Sequence, residues 1–192
     1  MFNVSDPQSD TIVLIHDALK GLSYWNDFMT GAEPAWSGVA MDMTYYLLNS
    51  NQGRTYSDDD HIRVACFQGS GLSSFHLWTI VGKWTLATTD CAKYFNGRGR
   101  GAHYNGSYDG TPPIGDCSNK SGRGETFSSE YKTFLREYWE AQIITFERGA
   151  GWVHWAWRME QADGWSYQAR LEYGWIPQDP TNRKNPEICD RY

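Results

Sequence analysis

Apolar residues fall into short continuous runs, separated by stretches in which they recur every three or four positions. The first run, Thr11-Ile12-Val13-Leu14-Ile15, stops at His16-Asp17-Ala18 and predicts a strand buried on both faces. Leu22, Tyr24, Trp25 and Phe28 follow within Leu19 to Met29, which reads as a loop with a short helix before Gly31 and Pro34 break the chain. A second strand is predicted from Gly38 to Met43, ending at Thr44-Tyr45-Tyr46. The third run, Trp78-Thr79-Ile80-Val81, ends abruptly at Gly82-Lys83-Trp84. It reads as a buried strand that delivers one charged side chain to the mouth of the fold. The fourth strand, Gly151 to Trp157, ends at Arg158-Met159-Glu160.

Between the strands the period changes. Ser57 is a good N-cap for a helix that runs towards Cys66, and Asp58, Asp59 and Asp60 sit in its first turn, where the helix dipole favours anions. Helix-start chemistry explains this triplet without a cation. Ser128 caps the longest helix, predicted to run to about Arg148. Tyr131, Phe134, Leu135, Tyr138, Trp139, Ile143 and Phe146 form its apolar stripe, a core face, and Gly149 marks its end. Strand and helix thus alternate, which implies an α/β fold of four parallel strands with covering helices and right-handed crossovers. Thr85 to Thr126 is long, irregular and glycine-rich, and a loop of that length is functional or tied down. Gly97, Gly99 and Gly101 alternate with arginines there, but no strand leads directly into a helix, so a phosphate-cradling loop is not supported. The chain shows no internal repeat and no low-complexity tract.

Composition narrows the function classes. A chain of 192 residues makes one domain, 1–192, with a sizeable core, whereas a complete (β/α)8 barrel takes about 250 residues. The net charge of −6 argues against nucleic acid, since no basic surplus is available for phosphates. No apolar run approaches the roughly 20 residues needed to cross a bilayer, so no membrane partner is expected. The N-terminus as given lacks the charged and apolar regions of a signal peptide. Sequons at Asn3, Asn105 and Asn119, together with four cysteines, nevertheless hint at secreted or cell-wall ancestry. Cys66, Cys91, Cys117 and Cys189 are widely spaced without a Cys-x-x-Cys, so zinc and other metals are not expected; bridged cysteines and free buried thiols both remain open. The 10 Trp and 12 Tyr favour flat binding surfaces or a thick aromatic core.

Several blocks together resemble the fungal exo-β-1,3-glucanases of glycoside hydrolase family 5. They are His16-Asp17-Ala18 through Ser23-Tyr24-Trp25-Asn26, Met41-Asp42, Trp78 to Lys93, Tyr131 to Gln142, and Trp165-Ser166-Tyr167-Gln168-Ala169. The resemblance runs from about Asp10 to Cys189 and matches strands five to eight, the C-terminal half of that family's barrel. It implies a half (β/α)8-barrel-like fold. It also implies disulfides Cys91–Cys117, closing the long loop, and Cys66–Cys189, pinning the tail. In the family the third of these strands ends Gly-Glu-Trp, and the Glu is the nucleophile; Lys83 stands at that position here. The family's acid/base is a Glu that follows Asn, and the chain contains no Asn-Glu dipeptide. A His two residues before a Tyr in the family corresponds to Thr44 and Tyr46. The aromatic platform under the terminal sugar corresponds to Trp157, with Trp155 one strand period earlier.

Retaining glycosidases use two carboxyl groups about 5 Å apart. The resemblance therefore leads to the expectation of a non-catalytic protein that binds a small ligand at the old pocket mouth. The ligand would be a glucan-type sugar or a flat aromatic metabolite or pigment, and no cofactor is implied beyond such a bound aromatic molecule. Candidate contacts are His16, Asp17, Thr44, Tyr46, Lys83, Trp84, Trp155 and Trp157, at the C-terminal ends of strands. Against this stands collapse of the aromatics into core, with Lys83 paired to Asp42 or Glu160. Two other readings are a lysine that forms Schiff bases or carries a chromophore, and a fragment that assembles with a chain supplying strands one to four. Two open sheet edges and an apolar inner face leave two solutions, a monomer closed by the Thr85–Thr126 loop and the tail after Trp165, or a homodimer, and the homodimer is the expectation.

Overall fold

The computed structural model describes residues 11–31, 37–108 and 110–192; the sequon at Asn3 and the break at Pro34 lie outside them. Four strands, β1 (Val13–His16), β2 (Val39–Tyr45), β3 (Trp78–Trp84) and β4 (Gly151–Trp152), form one sheet in that spatial order, and every neighbouring pair is parallel. Parallel neighbours need crossovers; between β1 and β2 the described residues hold only a 3-10 turn, Leu22–Trp25, and α-helices supply the other two. A single turn, α1 (Asn51–Arg54), precedes α2 (Asp58–Ser74) between β2 and β3; α3 (Ser129–Phe146) lies between β3 and β4, and α4 (Tyr167–Glu172) follows β4.

The helix starts are those the sequence signals. Ser57 Oγ accepts the Asp60 N–H at 3.1 Å while Asp60 Oδ2 accepts the Ser57 N–H at 3.3 Å, a reciprocal cap that uses one member of the acidic triplet. Ser128 Oγ accepts the Tyr131 N–H at 3.1 Å at the start of α3. All seven stripe residues of α3 are buried in one core with Met43, Tyr45, Val81 and Trp84 of the sheet. Fully burying such side chains contributes about 1.5–3 kcal/mol each, which is why the stripe decides where α3 lies. Phe146 meets the edges of Tyr45 and Trp84 at 5.5 and 5.2 Å.

β2 and β3 stay in register up to Met43 opposite Val81, then slip so that Thr44 faces Lys83. Gly82 is the residue passed over. The Asp42 carboxylate lies against it, and a Cβ there would sit 2.1 Å from Asp42 Oδ1, so a larger residue would require the Asp42 side chain to move.

Two strand expectations are corrected. β1 is not buried on both faces: Val13 and Leu14, which face opposite ways, are each 54% exposed, because β1 ends the sheet and the described residues cover neither of its faces fully. β4 does not run to Trp157 but stops at Trp152. The backbone beyond still bonds the sheet through Val153 N–H to Val81 O and Trp155 N–H to Trp84 O. It then turns to the chain before α4, where Ala156 N–H donates to Trp165 O and Tyr167 N–H to Ala156 O.

The cysteines are bridged as the resemblance implies, Cys66–Cys189 and Cys91–Cys117, and none is free. The first joins α2 to the tail. The second ties the long loop, which among the described residues holds no helix or strand before Gly124. That loop has a polar hub. The buried Asp90 carboxylate accepts from Asn96 Nδ2 at 2.8 Å, the His103 N–H at 2.8 Å, His103 Nδ1 at 2.7 Å and the Tyr104 N–H at 3.0 Å. Burial alone would raise this carboxyl, but the donors from Asn96, His103 and Tyr104 hold it below its ordinary value.

Candidate functional site

Parallel strands end on the same edge of a sheet, so the residues that terminate β1, β2 and β3 meet there. Side chains alternate between faces, and the register sets His16, Thr44 and Lys83 on the face away from α2 and α3. His16 Nδ1 accepts the Ala18 N–H at 3.0 Å, which leaves the proton on Nε2 to donate to Thr44 Oγ1 at 3.0 Å. These two bonds fix the orientation of the imidazole at the rim.

Lys83 is half-buried in the floor. Its ammonium stands 4.9 Å from the Trp155 ring centroid and 5.7 Å from that of Tyr46. Among the described residues no carboxylate lies within ion-pair distance of it, so pairing with Asp42 or Glu160 is not what holds it. Tyr46 leans edge-on against Trp165 at 5.6 Å, and Phe95 packs on the same indole at 5.4 Å. Burial raises the Tyr46 phenol far above its ordinary value, so its hydroxyl is neutral and has no partner in the described structure.

Together these groups line an open cavity of about 520 Å³, whose walls also include Leu19, Asn49, Ala92, Lys93, Tyr94, Met159, Glu160 and Ala162. Apolar walls with a few polar groups on the floor are the usual make-up of a small-ligand pocket. Trp155 is 50% exposed, with the Lys83 ammonium over its ring.

Of the eight residues expected at the mouth, His16, Thr44, Tyr46, Lys83 and Trp155 converge there. Asp17 does not: it is fully buried, its Oδ1 accepts the Leu19 N–H at 3.1 Å and its carbonyl accepts Trp25 Nε1–H at 3.0 Å, so it shapes the turn behind β1. Trp84 is also fully buried, edge-on against Phe146, Trp152 and His154. Neighbours in a strand face opposite ways, so once Lys83 faces the mouth Trp84 must face the helices. Trp157 is 62% exposed but lies outside the cavity, stacked on Tyr167 at 6.0 Å, because the chain has turned away at Ala156.

Sequence reasoning missed the wall from Ala92 to Phe95 and the Trp165 behind it. The signal available for the first was Cys91, whose bridge to Cys117 pins the loop at that point. Among the described residues no group of three or more His, Cys, Asp or Glu side chains is gathered in a way that could hold a metal ion.

No protein-family model matches the chain. Curated proteins do. It is 38% identical over 185 residues to a glucan 1,3-beta-glucosidase of Lachancea kluyveri, an alignment that covers 94% of this chain and 42% of that protein. Against glucan 1,3-beta-glucosidase I/II of Saccharomyces cerevisiae it is 38% identical over 186 residues, 95% of this chain and 41% of the relative. Against the probable glucan 1,3-beta-glucosidase A of Aspergillus niger it is 38% identical over 185 residues, 93% and 42% respectively. The chain thus spans less than half the length of these relatives, in their C-terminal part. This overturns the expectation of a protein that is not an enzyme. The relatives are named as glucosidases, and the chain covers only part of each of them.

Proposed function

Because the chain is related over nearly all its length to fungal glucan 1,3-beta-glucosidases, we propose that it is the saccharide-binding C-terminal part of a protein that acts on β-1,3-linked glucan. The mouth at the ends of β1, β2 and β3 takes a glucosyl unit, with Trp155 as the flat surface under the sugar ring. His16, Thr44 and Lys83 reach its hydroxyls from the floor. The observation that carries this reading is the half-exposed Trp155 beside polar groups of three adjacent strands, within one cavity. An aromatic ring suits a sugar because its apolar face matches the axial C–H groups, while hydroxyls at the sugar's edge keep polar partners.

Titration of the tryptophan fluorescence with laminari-oligosaccharides tests it, with cello-oligosaccharides as comparator. Saturable binding of the β-1,3-linked series, weakened about ten-fold or more by Trp155→Ala, supports the reading. Absence of saccharide binding, or binding indifferent to Trp155→Ala, refutes it. Saturation by a flat aromatic compound but by no sugar would replace it with the aromatic-ligand alternative.

A further inference from the structure

We propose that the sugar taken by this mouth carries an anionic substituent, a carboxylate or a phosphate ester, and that Lys83 selects it. The inference rests on the saccharide reading above and adds the ligand's charge. Lys83 is held in place by the backbone, since the slip past Gly82 sets it opposite Thr44 at the end of β3. Its neighbours are the two rings of Tyr46 and Trp155. Ring faces attract a cation, but they do not accept its three N–H bonds in good geometry. No described carboxylate pairs with it, so the half-buried charge faces the open cavity with its hydrogen-bonding capacity unspent.

The surroundings favour an anion over a hydroxyl as the missing acceptor. The cavity wall carries Lys83, Lys93 and Glu160 as its charged groups, besides His16, whose Nε2 is bonded to Thr44 Oγ1. Two cations against one anion give the mouth a local surplus of positive charge on a chain whose net charge is −6. Low-dielectric aromatic walls focus such a field and strengthen any ion pair formed inside. A charge-assisted bond is also roughly twice as strong as a neutral one. Asp42, the other nearby carboxylate, lies against Gly82 within the sheet.

Binding is measured by calorimetry with three probes of one chain length: a neutral laminari-oligosaccharide, its C6-carboxylated counterpart and its C6-phosphorylated counterpart. Expected is about ten-fold tighter binding of at least one anionic probe than of the neutral one. That preference should shrink as salt is raised, because the pair is only half-buried. The two anionic probes tell a carboxylate site from a phosphate site. Lys83→Met keeps the length of the side chain and should abolish the preference while leaving the thermal midpoint in place; Lys83→Arg should keep it. Equal or tighter binding of the neutral probe overturns the inference and leaves the saccharide reading standing. A preference that survives in Lys83→Met overturns the role of Lys83. Failure of all three probes to bind overturns the inference and the saccharide reading together.

Discussion

Replacing Glu140 by Gln should destabilise the protein more than its conservative form suggests. Glu140 is fully buried in α3, and both its oxygens accept N–H bonds. Oε1 takes Arg136 Nε at 2.5 Å and the Lys184 N–H at 2.7 Å, and Oε2 takes the Asn185 N–H at 2.6 Å. Arg136 is buried too; its Nη2 donates to Asn182 O at 2.6 Å and its guanidinium lies 5.3 Å from the Trp139 ring centroid. The carboxylate therefore balances a buried cation and anchors the chain around Asn182–Asn185 to α3. Gln offers a single oxygen, so its NH2 must point at a donor on one side, and Arg136 loses its counter-charge in either orientation. Breaking a buried pair from one side costs about 3–5 kcal/mol. For a chain of this size each kcal/mol shifts the thermal midpoint by roughly 2–4 °C, so a fall on the order of 10 °C is expected. Circular dichroism melts and urea unfolding measure it. In a double-mutant cycle, Arg136→Met in the Glu140→Gln background should add much less than Arg136→Met alone, because the cation is already stranded. A midpoint lowered by less than about 2 °C, or simple additivity of the two changes, would show that the pair does not hold the tail.

The two disulfides should separate stability from binding. Cys66–Cys189 spans 123 positions and Cys91–Cys117 spans 26, so replacing each pair by Ala is expected to cost about 5 and about 3.5 kcal/mol respectively from loop entropy. Only the second change should weaken oligosaccharide binding, because it frees the wall from Ala92 to Phe95; the opposite ranking in urea unfolding, or equal effects on binding, would contradict this. Acid should destabilise the fold through buried histidines. Burial lowers His61 to about 4, and burial together with the nearby Arg170 cation holds His154 well below the ordinary imidazole value. The unfolded chain then takes up protons that the folded one refuses. For His61, stability is full above about pH 6.5 and falls as the pH drops towards about 4; unfolding free energies at pH 7 and pH 5 that agree, in the native protein and in His61→Phe alike, would exclude it. The 192-residue chain by itself is expected to form a dimer, since Leu14, Val153 and the 70%-exposed Trp78 leave an apolar inner face uncovered. Light scattering that gives 22.0 kDa at every concentration would show that the face is tolerated in water.

Periodicity and local chemistry by themselves determined much of the protein. The stripe from Tyr131 to Phe146 is a core face in any tertiary setting, because residues three and four apart share one side of a helix. The Ser57 and Ser128 caps mark helix starts through contacts made within three residues. Alternation of apolar runs with helices sufficed for four parallel strands, and the end of the third run placed Lys83 at the mouth. The same alternation, applied strictly, would have sent Trp84 into the core. Tertiary structure alone decided the rest. Val13 and Leu14 read alike whether a neighbour covers them or not, and only the sheet order makes β1 an edge. Trp157 leaves the mouth because Ala156 finds its hydrogen bonds at Trp165 and Tyr167, partners that no local pattern announces. Phe95 and Lys93 reach the cavity because a disulfide and the Asp90 hub fold an otherwise irregular loop back over the strand ends. A side chain's facing is set by its near neighbours along the chain, whereas what it faces is set by residues far away in sequence, and a binding site depends on both.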